Sequence, residues 1–152
     1  MIINKKTDVT IIGLNLNHNV IDNYPDYYVI DKPFKIEEVK TKEKILFFNS
    51  LHFIKDENKK ILVEYLKKSK KSFIIITNNI EEVLLTKYLI VIDEEKILIE
   101  GQTLAVLKED KLLKRLGFDL PFTFSLSLLL KDYDILDTIC VTNQELVDEI
   151  WN

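Results

Sequence analysis

A chain of 152 residues, 47% hydrophobic and 30% charged, is long enough for one domain with a buried core and too apolar to be disordered. Its formal net charge of −4 argues against a nucleic-acid binder, which would carry a basic surplus. Cys140 is the single cysteine, so no internal disulfide can form and a reducing cytoplasm is the expected setting.

In chain order, Met1 to Lys6 lack the apolar run of a secretion signal. Asp8 to Leu14 has the β-branched run of a buried strand, stopped by Gly13 and an asparagine-rich segment. Tyr27 to Ile30, between Pro25 and Pro33, is a second short strand, and Ile36 to Glu43 a short helix. Lys44 to Phe48 is an apolar strand suited to the centre of a parallel sheet. Glu57 to Lys68 reads as an amphipathic helix that buries Ile61, Leu62, Tyr65 and Leu66 and turns its lysines to water. Phe73 to Ile76 is again apolar on both faces, so strand, helix and strand imply a right-handed parallel crossover. A polar loop at Thr77, Asn78 and Asn79 and a short helix follow, then an antiparallel hairpin from Tyr88–Asp93 and Lys96–Glu100.

The remainder is helical. Leu112, Leu113 and Leu116 end against Gly117 as a C-cap. Leu126, Leu129 and Leu130 mark a helix after Pro121. The greasy stretch from Leu120 to Leu130 is too short to span a bilayer, so no direct membrane insertion is expected. The last helix opens on a capping box, Thr142 to Glu145, with Val141 and Leu146 as a hydrophobic staple. Its spacing buries Leu146, Val147, Ile150 and Trp151 on one face.

Three segments together resemble the ATPase subunit of energy-coupling-factor ABC transporters, the A-component of vitamin and metal uptake systems. Lys44 to Ser50 followed by Glu57 to Lys60 is similar to the Walker B strand, D-loop and next helix. Ile76 to Gly101 is similar to the switch strand and terminal hairpin. Leu116 to Phe122 with Glu145 to Trp151 is similar to the C-terminal helical extension of that subgroup. The resemblance implies a reduced P-loop NTPase-like α/β fold with a mainly parallel sheet. The expected domains are a core over residues 1–102, lacking the helical subdomain that carries the signature motif, and a helical extension over 103–152.

The positions that would handle phosphate depart from the family pattern. A Walker B strand ends in an aspartate for Mg²⁺ and a glutamate that polarises water, because phosphoryl transfer rests on positioning and charge neutralisation. Here the two positions read Asn49 and Ser50, and shifting by one residue gives Phe48 and Asn49. Asp56 could serve as the D-loop aspartate only with a gap. The switch histidine is replaced by Asn78, whose amide cannot exchange a proton near neutral pH. Val9 to Asn19 faintly echoes a P-loop, which needs glycines to wrap phosphates and a lysine to reach them. Only Gly13 survives: Leu16 and His18 replace glycines and Asn19 stands at the lysine position, so an ordinary strand exit is the better reading.

Elsewhere bland readings carry equal weight. His18 and His52 lack the company of a metal site. The lysines from Lys67 to Lys71 suit a solvated helix C-terminus, although such a cluster could hold an anion. Asp93, Glu94 and Glu95 lie in a hairpin turn, and Cys140 among apolar neighbours reads as a buried, inert thiol. The expectation is a non-catalytic relative with no cofactor, no metal, no catalytic residue and no nucleotide-binding residue. Gly13, Asn19, Asn49, Ser50 and Asn78 are vestigial positions.

It would act through protein association, as a homodimer or as a heterodimer with an ABC ATPase-like subunit, near a transporter membrane subunit. The apolar contributors would be Phe118, Leu120, Phe122, Leu129, Ile150 and Trp151. The same side chains could instead cap the domain's own core. Two other roles compete: an ATP-binding subunit of a vitamin or metal uptake transporter, and a scaffold domain unrelated to transport.

Overall fold

The computed structural model describes residues 8–14, 16–94 and 96–151. Met1 to Lys6, Asn15 and Glu95, which entered the sequence readings, lie outside the described residues. The chain divides into two compact units, Met1–Lys108 and Glu109–Asn152.

Among the described residues the first unit is built on a six-stranded sheet. Its strands are β1 (Asp8–Leu14), β2 (Tyr28–Ile30), β3 (Lys44–Phe48), β4 (Ser72–Ile76), β5 (Tyr88–Asp93) and β6 (Lys96–Gln102). Their order is β2-β3-β4-β1-β5-β6, with every pairing parallel except that of β5 with β6. The expected α/β, mainly parallel architecture is therefore what the chain adopts. Lys44–Phe48 and Phe73–Ile76 lie side by side inside the sheet, and the hairpin closes one edge.

Alternation along the inner strands supplies a core on both faces. On one face Val9, Ile11, Leu46, Phe48, Ile74, Ile76, Ile90 and Ile92 pack with Val20 and Tyr24 from the β1–β2 connection. On the other, Ile45, Phe47, Phe73 and Ile75 meet Val39 of α1 (Ile36–Lys40) and Leu62, Val63 and Leu66 of α2 (Asp56–Lys68). Each such side chain contributes about 1.5–3 kcal/mol of transfer free energy.

Helix α2 carries Asp56 and Glu57 in its first turn and Lys67 and Lys68 in its last, so both ends suit the helix dipole. Its buried face differs from the sequence reading in two respects. Ile61 is exposed and Val63 takes its place, because the stripe facing the sheet runs through Lys59, Leu62, Val63 and Leu66. Lys59 is thus a buried lysine, not one of the solvated set. The short helix α3 (Thr103–Leu107) is tied to the end of the connection before β5. Thr103 N–H donates to the Lys87 carbonyl at 2.9 Å, and its hydroxyl donates to the Thr86 carbonyl at 2.8 Å.

The second unit holds α4 (Asp110–Arg115), α5 (Phe122–Asp132) and α6 (Asn143–Trp151). Helix α4 stops where expected: Gly117 has φ of +88°, and Phe118 N–H returns to the Leu113 carbonyl at 2.9 Å. The capping box forms, with Glu145 N–H on the Thr142 hydroxyl at 3.1 Å and the Glu145 carboxylate on the Val141 N–H at 2.9 Å. Ser127, whose hydroxyl is fully buried, accepts the Cys140 N–H at 3.0 Å and fastens the segment before α6 to α5. Burial of α6 is narrower than its spacing implies. Leu146 is buried, whereas Val147, Ile150 and Trp151 are exposed, since a nine-residue helix offers a short strip to Leu136, Cys140, Leu126 and Leu130. Among the described residues no helix is long and apolar enough to cross a membrane.

Candidate functional site

Ligands of parallel α/β sheets bind beyond the C-terminal ends of the strands. Here those ends belong to β1, β3 and β4, and backbone hydrogen bonds lock them together. Asn49 N–H donates to the Ile76 carbonyl at 2.9 Å, and Thr77 N–H donates to the Ile11 carbonyl at 3.0 Å. Asn49, Ser50 and Asn78 are brought to the same end of the sheet as Gly13.

Each of the positions expected to be vestigial has a local explanation. Gly13 sits where β1 runs against β5, and a Cβ on it would lie 2.0 Å from the Ile92 carbonyl oxygen. The glycine therefore serves strand packing. After it comes a 3-10 turn, His18–Asn23, in place of a long helix. Asn17 caps that turn itself, its side-chain oxygen accepting the Asn19 N–H at 2.8 Å. An N–H group that could face phosphate is thus already occupied, and the exposed Asn19 side chain is an uncharged amide. The His18 ring packs on Phe48 with centroids 4.5 Å apart, and its Nε2 lies 3.7 Å from an Asp31 oxygen.

Asn49 takes a left-handed backbone with φ of 48°, a region asparagine tolerates better than most residues. Ser50 is buried, and its hydroxyl has no hydrogen-bond partner among the described residues. Asn78 is exposed on the loop after β4. None of the three offers a charge or a titratable proton, so these residues do not fit an Mg-nucleotide.

Beside them lies a charged cluster that the sequence reading missed. The Thr77 hydroxyl accepts the Asn79 N–H at 3.0 Å and donates to a Glu82 carboxylate oxygen at 2.9 Å. The other Glu82 oxygen is 3.7 Å from the Lys59 ammonium, which also stands 3.3 Å from Asp56. Lys59 and Glu82 are both buried. Helix α2 is thereby tied across to the 3-10 turn that follows β4, Ile80–Leu85. The pair is far apart in sequence and hidden within charged runs, so periodicity alone could not expose it.

The residues expected to mediate association divide. Phe118 is buried and Leu120 half-buried, while Phe122, Leu129, Ile150 and Trp151 are exposed, Trp151 to 82%. Phe122 and Leu129 of α5 and Tyr133 at its C-cap follow one another at seven- and four-residue steps, all exposed. Cys140 is buried, and that burial pushes its thiol pKa up, with the Glu145 and Glu149 carboxylates adding to the shift. Among the described residues no group of three or more His, Cys, Asp or Glu could hold a metal ion.

No protein-family profile matches the chain. Curated relatives do. The energy-coupling factor transporter ATP-binding protein EcfA1 of Lactobacillus delbrueckii subsp. bulgaricus is 28% identical over 112 residues, covering 70% of this chain and 40% of the relative. EcfA1 of Bacillus subtilis is 35% identical over 91 residues, 59% of this chain and 32% of the relative. EcfA1 of Ureaplasma parvum is 28% identical over 96 residues, 63% of this chain and 33% of the relative. The chain spans about 40% or less of the length of these relatives. With its mainly parallel α/β sheet, the chain is thus similar, over part of its length, to the ATP-binding proteins of energy-coupling factor transporters.

Proposed function

We propose that this chain is a non-hydrolysing, ABC ATPase-like module that works through protein association, in a regulatory or scaffold role linked to a transporter. The observation that carries the reading is the chemistry where β1, β3 and β4 end. Asn19, Asn49, Ser50 and Asn78 supply amides and a hydroxyl where lysine, two carboxylates and an imidazole are required, and Gly13 is committed to packing against Ile92. Association is favoured by Phe122, Leu129, Ile150 and Trp151, large apolar side chains left exposed on α5 and α6. The partner is a second copy or an ABC ATPase-like subunit, on the cytoplasmic side of a transporter membrane subunit.

Steady-state hydrolysis of Mg-ATP tests the first half. No turnover is expected from the chain, and none from Asn49→Asp/Ser50→Glu, since the phosphate cradle is still missing; turnover by either contradicts the reading. Sedimentation tests the second half. A concentration-dependent dimer at tens of micromolar (roughly where weak interfaces populate), lost in Phe122→Ser/Trp151→Ser, is expected. A chain that stays monomeric alone and when mixed with an ABC ATPase-like subunit would end the association proposal.

A further inference from the structure

At the opposite end of the sheet from the vestigial positions is a pocket of about 320 Å³. It is lined by Asp8, Lys67, Lys70, Lys71, Phe73 and Lys87. Asp8 and Phe73 are paired neighbours at the first rung of β1 and β4, so the floor is the N-terminal edge of the sheet. The walls come from the end of α2, the turn after it and the residue before β5. Four lysines therefore converge with one aspartate in a chain whose formal charge is −4.

The hydrogen bonding sorts these cations. An ammonium has three N–H donors, and those of buried Lys71 face three oxygens: the Lys42 carbonyl at 2.6 Å, the Lys40 carbonyl at 3.2 Å and Glu43 at 3.4 Å. Lys71 is thus an anchored positive charge, partly offset by the exposed Glu43 carboxylate with which it pairs. Asp8 is also committed, with one oxygen 2.9 Å from the Lys87 N–H and 3.7 Å from the Lys67 ammonium. The Lys70 and Lys87 ammonium groups form no ion pair among the described residues. Lys70 moreover adopts φ of +56° in the capping turn of α2, the place where glycine is the least strained choice. A bulky cation is held there at a backbone cost of about 1–2 kcal/mol.

We propose that this pocket binds a small phosphate-bearing ligand with at least two negative charges, gripped by Lys67, Lys70 and Lys87 and attracted by the fixed charge of Lys71. Lysine ammonium groups bind phosphate as point charges, and the volume is at the small end of the range for small-molecule sites, about 300–1,000 Å³. The pocket is independent of the strand ends discussed above, so it needs no nucleotide-binding role for the chain.

Titration of the full chain with pyrophosphate, followed by amide chemical shifts at about 50 mM salt where screening is weak, tests the assignment. Saturable shifts at Lys70, Lys71 and Lys87 are expected. Lys70→Asn/Lys87→Gln should weaken binding at least about tenfold, asparagine being chosen because it tolerates the left-handed turn. Lys111→Gln/Lys114→Gln, which removes the same charge from α4, should leave binding unchanged. Three results would overturn the proposal: no saturation by about 10 mM pyrophosphate, equal weakening by both pairs, or shifts confined to the Asn49 and Asn78 end.

Discussion

Ile45, Phe47, Ile74 and Ile76 lie fully buried in the interior of the sheet, yet one or two residues further along the same strands stand Asn49 and Asn78, the first half-buried and the second exposed. The strands are constrained on both faces by packing, and each residue there is accounted for by what it touches. The residues at their exits are accounted for by backbone geometry and local capping: Asn49 by its left-handed φ, Asn79 by capping the turn after β4, Asn17 by capping the turn after β1. A phosphate site would demand more of those exits than geometry. The contrast teaches that the sheet is held by packing on both its faces, independently of the polar residues at its strand exits.

Gly13 belongs to both regions and gives the sharpest way to break the comparison. If it serves packing, Gly13→Ala drives a Cβ into the Ile92 carbonyl and should destabilise the fold by about 3 kcal/mol or more in urea unfolding. A variant of unchanged stability would place Gly13 among functional glycines instead. Glu82→Ala is next: removing the carboxylate leaves Lys59 buried with only exposed Asp56 nearby, an expected loss of about 3–5 kcal/mol. A loss under about 1 kcal/mol would show that the pair behaves as a surface contact.

Alkaline pH sharpens the comparison on the sheet side. Burial, followed by Tyr27 and Glu100, pushes the Tyr24 pKa up; burial, then Asp26, raises that of Tyr27; and burial, then Glu100, raises that of Tyr88. The folded state thus holds these protons more tightly than the unfolded chain, whose tyrosines titrate near pH 10. Their contribution is complete below about pH 10 and is lost as pH rises beyond it. The melting temperature should fall above that pH, and less steeply in Tyr24→Phe. An identical alkaline slope in the variant would remove Tyr24 from the explanation. Ser50→Ala should have the smallest effect. Its buried hydroxyl has no partner among the described residues, so removal should leave stability unchanged or raise it by up to about 1 kcal/mol. A clear loss of stability would reveal a role the geometry does not supply.

The sheet was legible because a doubly apolar strand such as Phe73–Ile76 has few alternatives, and because Gly117 and the Thr142–Glu145 box carry their own stop and start signals. What escaped was tertiary. Periodicity placed Ile61 inward and Lys59 outward, but the position of Glu82 decides which stripe of α2 faces the sheet. Nor could spacing tell that α6 would bury Leu146 and leave Trp151 exposed, since that depends on how little of the second unit lies against it. At the strand exits the sequence showed which residues were present, while the packing role of Gly13 needed the distance to Ile92.

The most direct test is the melting temperature of the full chain with and without millimolar Mg-ATP, against Mg²⁺ alone. A ligand at a hundredfold excess over its dissociation constant stabilises by about 2.7 kcal/mol, a shift easily read in a domain of this size. The account predicts no rise that Gly13, Asn49, Ser50 and Asn78 could mediate: any ATP effect should vanish in Lys70→Asn/Lys87→Gln. A rise that survives that variant would contradict it.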